Sequence, residues 1–158
     1  MKDTNILIAI DPGTDKSGVA IFVNGHLHNL EMMTLPKLSE FIKLTYGQYV
    51  VEDVEAIKTI YARNRKTNTG SGLQTAQSVG QVKATGRHII EFIKWWGMPV
   101  ETLKPISGNW GTMSTDAGKR ALTQRTGWTG SSNKDTRSAA YFGWRYLQQQ
   151  ANTAKRFA

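Results

Sequence analysis

The stretch ILIAIDPGTDKSGVAIFVNG, residues 6–25, constrains the fold more than any other part of the chain. Two short apolar runs flank one aspartate, Asp11, which is followed at once by Pro-Gly. Short runs rich in Ile and Val are typical of buried strands, whereas Asp-Pro-Gly marks a turn. The second run ends in Asn24-Gly25, a dipeptide that favours a tight hairpin. The segment therefore predicts two buried strands and a third strand paired with the second.

The rest of the chain alternates helix and strand patterns. Predicted strands cover residues 5–10, 18–24, 26–33, 49–54 and 100–103, and predicted helices cover residues 35–46, 73–96, 116–126 and 135–150. An early hairpin followed by alternating elements indicates an α/β fold, a mixed five-stranded sheet flanked by helices. The 158 residues fit a single domain, residues 1–158, in which we expect the tail 152–158 to be frayed.

The charge of the chain indicates its class of partner. It carries 20 basic and 12 acidic residues, which give a net charge of +8. Such an excess favours polyanions, and nucleic acid fits better than a membrane because no strongly basic amphipathic helix stands out. The absence of cysteine excludes disulfides and cysteine-based zinc sites and suits a reducing compartment. Because no apolar run suits a membrane span or a signal peptide, we expect a cytoplasmic protein with no membrane partner.

Three acidic residues occupy comparable positions along the predicted sheet. Asp11 ends the first strand, Glu52 lies in the apolar strand VVEDV, and Asp135 begins the last helix. Functional groups of open α/β sheets collect at strand ends, so these acids can meet if strands one and four are neighbours. Asp11 also suits a turn, and Asp135 also suits a helix cap. Glu52 is harder to explain in this way, because an unpaired charge in an apolar strand is costly.

Three converging carboxylates in a basic protein suit a hard divalent cation. Mg²⁺ and Mn²⁺ prefer oxygen ligands, and Mg²⁺ is usually shared between a few carboxylates and a substrate phosphate. A pair of such ions activates a water and stabilises the leaving oxygen of a phosphodiester. We therefore expect Mg²⁺, with Mn²⁺ as a substitute, at one or two ions per site, and no small-molecule cofactor.

Four motifs resemble the RuvC-like Holliday junction resolvases and occur in the order of that family. IAIDPGTDKSGVAIF resembles the first strand–turn–strand, and VVEDV resembles the strand with the second acid. LQTAQSVGQVKATG resembles the helix that follows, and KDTRSAAYFG resembles the closing helix. The motifs span residues 6–143, nearly the whole chain. The resemblance implies the RNase H-like fold. Departures from the bacterial pattern indicate an origin in a phage or another mobile element, and we expect a phage-encoded member acting in a bacterial host.

The same resemblance implies a structure-selective endonuclease. It would resolve four-way junctions and other branched DNA by paired nicks that leave 5′-phosphate and 3′-hydroxyl ends. Paired nicks need two sites related by a two-fold axis, so a homodimer is implied. Asp11, Glu52 and Asp135 would be metal ligands, and Lys119 in TDAGKRAL would stabilise charge at the scissile phosphate. The alternative for Lys119 is an ordinary solvated helix lysine.

Two positions depart from the family pattern. Ser138 stands one helical turn after Asp135, where the family usually has a second acid. Its hydroxyl can bind a metal weakly or through water, so we expect Asp135 to do most of the work and the metal preference to be altered. Glu55 stands where the family often has an aromatic residue that stacks at the junction, and Tyr61 is the candidate replacement.

A basic, glycine-rich loop, YARNRKTNTGSG at residues 61–72, follows the strand of the second acid. Arg63, Arg65 and Lys66 can meet phosphates, and Tyr61 can stack on an unpaired base. Most such loops are only solvated surface, but proximity to the predicted site favours contact with DNA. Further predicted DNA contacts are Lys83, Arg87, Lys104, Arg120, Arg125, Lys134 and Arg137.

Three other functions stay open. A related RNase H-like nuclease acting on RNA–DNA hybrid or on non-junction DNA would use the same acids. A phosphotransferase of the actin-like ATPase type shares the turn DPGTDKSG, although this chain is too short for the two domains that such an enzyme needs. A junction-binding protein with weakened catalysis is consistent with Ser138.

Overall fold

The strands and helices follow the predicted order. The computed structural model describes residues 3–57 and 69–157, with the backbone alone at residue 57 and residues 69–77. The strands are β1 Ile6–Asp11, β2 Lys16–Val23, β3 His26–Thr34, β4 Gln48–Glu52 and β5 Val100–Leu103. The helices are α1 Leu35–Leu44, α2 Thr69–Trp95, α3 Thr115–Thr126 and α4 Lys134–Arg156. A short 3₁₀ helix, Val54–Ile57, follows β4.

Local signals in the sequence set several of these boundaries. Asn24 and Gly25 have φ angles of 51° and 83°, the left-handed values that the tight turn between β2 and β3 requires. The side chain of Asn133 accepts hydrogen bonds at the start of α4, and Thr136 completes a capping box with it. Gly127, with a φ angle of 75°, ends α3.

The prediction of a frayed tail from residue 152 is wrong for most of that tail, because α4 continues to Arg156. The residues that extend the helix include Ala151 and Ala154, which have high helix propensity. Lys155 and Arg156 lie in its last turn, where positive charge interacts favourably with the helix dipole. Residues with high helix propensity therefore continue α4 beyond its buried residues, which end at Gly143.

The five strands form one mixed sheet in the order β3-β2-β1-β4-β5. β3, β2 and β1 are antiparallel neighbours, whereas β1, β4 and β5 run parallel. Ile10 of β1 lies opposite Val51 of β4. The next residue of each strand, Asp11 and Glu52, therefore lies at the same end of the sheet. The predicted α/β fold with a mixed five-stranded sheet flanked by helices is confirmed.

Alternate residues of the central strands supply two separate cores. Ile8 and Val51 pack with residues of α1 and α2 on one face. Ala9 and Val50 pack with Ala139 of α4 and with the aromatic residues near it on the other face. Both faces of β1 and β4 are covered, which explains why these strands are continuous apolar runs in the sequence. Among the described residues, no helix combines the length and apolar character that crossing a membrane would require.

Candidate active site

Four side chains predicted to form the site line one open cavity at the end of the sheet. The cavity has a volume of about 200 Å³. Its lining residues are Asp11, Glu52, Asn109, Gly111, Thr112, Lys134, Asp135 and Ser138. β1 supplies the first acid, β4 the second, and α4 supplies Asp135 and Ser138. Sequence positions more than 120 residues apart are thus brought together by the parallel pairing of β1 with β4 and by the packing of α4 on the sheet.

Close backbone packing brings the start of α4 to the carboxylates. Gly18 of β2 is the cross-strand partner of Asp11. A Cβ atom on Gly18 would stand only 2.3 Å from the carbonyl oxygen of Asp135, so only glycine allows α4 to approach this closely. Ser138 follows one turn later, is 6% exposed, and faces the same cavity. The contact between β2 and α4 therefore fixes where Asp135 stands relative to Asp11.

The carboxyl groups in the cavity interact strongly. Burial raises the pKa of Asp11 well above its ordinary value. A hydrogen bond to Glu52 and the charges of Glu52 and Asp135 raise this pKa further, whereas a hydrogen bond with Ser138 lowers it. Among the described residues, no lysine or arginine forms a salt bridge with Asp11, Glu52 or Asp135. The site therefore concentrates negative charge inside a basic protein, at a place that favours a proton or a cation.

The donor atoms fit a hard divalent cation in their chemistry. They are carboxylate and hydroxyl oxygens, the ligands that Mg²⁺ and Mn²⁺ prefer. No group of three or more acidic or histidine side chains in the described ranges is already arranged to hold a metal ion. Glu52 raises the pKa of Asp11, so a proton competes with a cation for the oxygens of this pair. Mg²⁺ usually takes only one or two carboxylates and completes its shell with phosphate and water, so a metal site here would not require three preassembled carboxylates.

The loop between β5 and α3 contributes residues that sequence reasoning missed. Asn109, Gly111 and Thr112 line the cavity, although the sequence predicted only a loop over residues 105–115. Two signals pointed to them. Asn followed two residues later by Gly is typical of an Asx turn, and a loop after a parallel strand lies at the functional end of the sheet.

The predicted basic contacts lie in different environments. Lys134 lines the cavity, whereas Lys119, the lysine predicted beside the scissile phosphate, is exposed on α3 and is absent from the lining. Arg87 forms a salt bridge with Glu55, with Nε 2.6 Å from Oε1. Lys83, Lys104, Arg120 and Arg125 do not line the cavity either. Tyr61, Arg63, Arg65 and Lys66 lie outside the described residues.

Arg137 corrects one of the predictions. It was expected to contact DNA, but its side chain is buried beneath the cavity loop. Its Nε donates to the carbonyl oxygen of Trp110 at 3.2 Å, and its Nη1 donates to Oγ of Ser132 at 3.3 Å. The helical period explains the error, because Arg137 lies between Asp135 and Ser138 in sequence but points away from their side of α4.

Comparison with known proteins gives matches in structure only. No family profile and no curated protein sequence matches the chain. The structure of Thermus thermophilus RuvC in complex with a Holliday junction substrate superposes with a TM-score of 0.60, at 11% identity, over 93% of this chain and 95% of that one. A second structure of Thermus thermophilus RuvC gives a TM-score of 0.55 at 10% identity, over 92% and 96%. The chain therefore has a RuvC-like, RNase H-like fold.

Proposed function

We propose that this protein is a divalent-metal-dependent endonuclease that cuts four-way junctions and other branched DNA. One observation carries the proposal. Asp11, Glu52 and Asp135 line a single cavity at the end of a RuvC-like sheet. In addition, one of the similar structures is that of RuvC with a Holliday junction substrate.

The residues of the site divide the work in this proposal. Asp11 and Glu52 would hold the cation. Asp135, at the start of α4, would add a third negative charge to the same cavity. The hydroxyl of Ser138 lowers the pKa of Asp11, and it lines the same cavity, where it would offer the cation a further oxygen. The bound ion would activate a water and stabilise the leaving oxygen of the phosphodiester. The products are a 5′-phosphate and a 3′-hydroxyl.

Positive charge around the cavity would bind the DNA backbone. Lys134 lies at the rim and can neutralise a phosphate next to the scissile one. Lys119 and the exposed basic residues of α2 and α3 remain candidates for contacts farther along the strand. The net charge of +8 would also speed the encounter with DNA at low salt.

Two symmetric nicks require two copies of the site, so we include a homodimer in the proposal. Leu44, Tyr46 and Trp95 are exposed apolar side chains that a subunit interface could cover. Light scattering after size exclusion, with and without a junction, measures the oligomeric state. A monomer on the junction would contradict this part of the proposal alone.

The decisive experiment uses a synthetic four-way junction and Mg²⁺. We expect wild type to cleave it, and Asp11→Asn to bind it but to cleave at least ~100-fold more slowly. Asp116→Asn is the matched control, because it removes one negative charge from an exposed position of α3 outside the cavity. A linear duplex and an RNA–DNA hybrid of the same sequence test the choice of substrate. Equal cleavage by wild type and Asp11→Asn would remove Asp11 from the mechanism.

A second candidate is a junction-binding protein with weakened catalysis. It is favoured by Ser138 in place of a second acid and by the absence, among the described residues, of a preassembled group of three metal-binding side chains. The same experiment separates the two candidates. Tight binding of the junction by wild type, with no cleavage in Mg²⁺ or Mn²⁺, would support the second.

A further inference from the structure

The loop over residues 109–112 is tied together by one buried side chain. Asn109 is 5% exposed, and its Oδ1 accepts hydrogen bonds from the backbone N–H groups of Gly111 at 2.8 Å and Thr112 at 3.0 Å. Its Nδ2 donates to the carbonyl oxygen of Ile106 at 3.2 Å. A buried amide with both of its polar atoms satisfied is costly to remove, so this side chain fixes the path of the loop.

The loop is also fixed to the helix that carries the acids. A Cβ atom on Gly111 would stand 2.2 Å from the carbonyl oxygen of Lys134 and 2.9 Å from Cβ of Ser138. Trp110 is buried, its ring contacts Tyr141 of α4 edge to face, and its carbonyl oxygen accepts from Arg137. The loop therefore has a set position relative to α4 and to the carboxylates.

Thr112 is the member of this loop that presents a side chain to the cavity without being buried. Its Oγ1 donates its proton to the carbonyl oxygen of Asn109 at 3.0 Å. The hydroxyl can therefore only accept hydrogen bonds from the cavity. Phosphate and deoxyribose oxygens within a DNA strand carry no protons to donate. The other donor in the cavity lining is the ammonium group of Lys134, which the proposed function assigns to a DNA phosphate. A water molecule is then the donor left for the Thr112 oxygen beside a scissile phosphate.

We propose that Thr112 orients the attacking water and that Asn109 is a positioning residue that acts through Thr112. This inference rests on the proposed nuclease function. The Thr112 oxygen accepts one proton of the water and aims the water oxygen at phosphorus. The water oxygen bonds to phosphorus, the P–O3′ bond breaks, the water releases a proton to solvent, and the 3′ oxygen takes one up. A slight displacement of the water is enough to slow such a step.

Single-turnover cleavage of a four-way junction in Mg²⁺ tests the proposal, together with junction affinity in Ca²⁺. Thr112→Val keeps the shape but loses the acceptor, and we expect a rate about 10- to 100-fold lower with unchanged affinity. Thr112→Ser keeps the hydroxyl and should cleave nearly as wild type does. Thr153→Val is the matched control, because Thr153 makes a similar exposed hydroxyl-to-carbonyl bond, to Gln149, near the far end of α4.

Asn109→Ala separates positioning from simple destabilisation. We expect the same loss of rate as for Thr112→Val, and no further loss in the double variant, because the two residues act in one chain of contacts. Hydrogen exchange should accelerate at the amides of Gly111 and Thr112 in Asn109→Ala. Asn29→Ala, which removes a similar side-chain-to-backbone bond from β3, should leave the cleavage rate unchanged.

The outcomes distinguish this inference from the function on which it rests. If wild type cleaves and Thr112→Val cleaves equally fast, the inference is wrong and the nuclease function stands. Additive losses in the double variant would overturn the positioning role of Asn109. A wild-type protein that leaves junctions intact in Mg²⁺ and Mn²⁺ would overturn both.

Discussion

Gly18 lies directly beneath the backbone of Asp135, where a Cβ atom would stand 2.3 Å from the Asp135 carbonyl oxygen and 3.0 Å from the nitrogen of Thr136. Because the obstructing atoms are backbone, they cannot rotate away as a side chain can. Gly18→Ala should push the first turn of α4 off the sheet and move Asp135 away from Asp11. We expect a loss of about 1–3 kcal/mol in the free energy of unfolding and a large fall in junction cleavage.

Gly80→Ala is the matched control for this substitution. Gly80 lies within α2, and nothing stands within 4 Å of a Cβ atom placed there. Since alanine is favoured over glycine inside a helix, this variant should gain about 0.5–1 kcal/mol in stability. Chemical denaturation measures both values. A Gly18→Ala protein as stable as wild type would contradict the close approach of β2 to α4.

The β1–turn–β2 segment shows how much of this fold the sequence specifies. Its apolar runs, its Asp-Pro-Gly turn and Asn24-Gly25 predict three strands, because local propensity and burial agree along the whole segment. The pairing of β1 with β4 is not local. The apolar runs predict that both strands are buried, but they do not determine which strands are neighbours, so the sequence left this pairing as a condition for the three acids to meet. Boundaries shifted by only a few residues, except at the C-terminal end of α4.

The candidate site was only partly predictable, for a physical reason. Acids are costly in apolar strands, so Glu52 stood out. Asn109 and Thr112 are ordinary loop residues, and their role depends on hydrogen bonds that have no periodic signal. Arg137 was misassigned because basic residues are expected at the surface, whereas here the guanidinium satisfies backbone and hydroxyl oxygens inside the domain.

Asp11→Asn should stabilise the metal-free protein at neutral pH. The folded-state pKa of Asp11 is raised, first by burial and then by Glu52 and Asp135, so the folded protein holds this proton more tightly than the unfolded chain does. The stability that the proton contributes is present below the ordinary aspartate pKa, and is lost as pH rises through the raised value. The stability advantage of Asp11→Asn over wild type should therefore grow with pH.

Thermal unfolding in EDTA between pH 4 and pH 8 measures this difference. Adding Mg²⁺ should raise the melting temperature of wild type more than that of Asp11→Asn, because a cation that binds only the folded protein stabilises it by mass action. A stability difference that does not change with pH would contradict the interaction among the carboxyl groups. Equal Mg²⁺ effects in the two proteins would remove Asp11 from the set of ligands.

Arg137→Met and Lys134→Met should have opposite effects on stability and on DNA binding. Arg137 is buried and serves two acceptors, so its loss should cost about 1–3 kcal/mol of stability while the salt dependence of junction binding stays unchanged. Lys134 is exposed at the rim of the cavity. Its loss should leave stability nearly unchanged. It should also reduce by about 1 the magnitude of the slope of log junction affinity against log salt concentration. If Arg137→Met weakened the salt dependence of junction binding instead, Arg137 would be a DNA contact after all.

Ser138→Asp tests whether this position still belongs to the metal site. Ser138 is buried, its hydroxyl lowers the pKa of Asp11, and the loop at Gly111 packs against it. A fourth carboxylate there should lower the melting temperature in EDTA, because it adds repulsion to carboxylates that form no salt bridge among the described residues. Adding Mg²⁺ should raise the melting temperature of Ser138→Asp again. Half-maximal cleavage should then need less Mg²⁺ than in wild type.

Ser138→Ala should act in the opposite direction on metal binding. Without the hydroxyl, the pKa of Asp11 should rise further, because Ser138 lowers it in wild type. A proton then competes more strongly with Mg²⁺ for the Asp11 carboxylate, so half-maximal cleavage should need more Mg²⁺. Ser39→Asp is the matched control, since it adds the same charge on α1, which packs on the opposite face of the sheet from α4. Mg²⁺ titrations of single-turnover cleavage compare all four proteins. If neither substitution at residue 138 changes the Mg²⁺ dependence or the rate, Ser138 has no part in metal binding, and the carboxylates of Asp11, Glu52 and Asp135 must account for it alone.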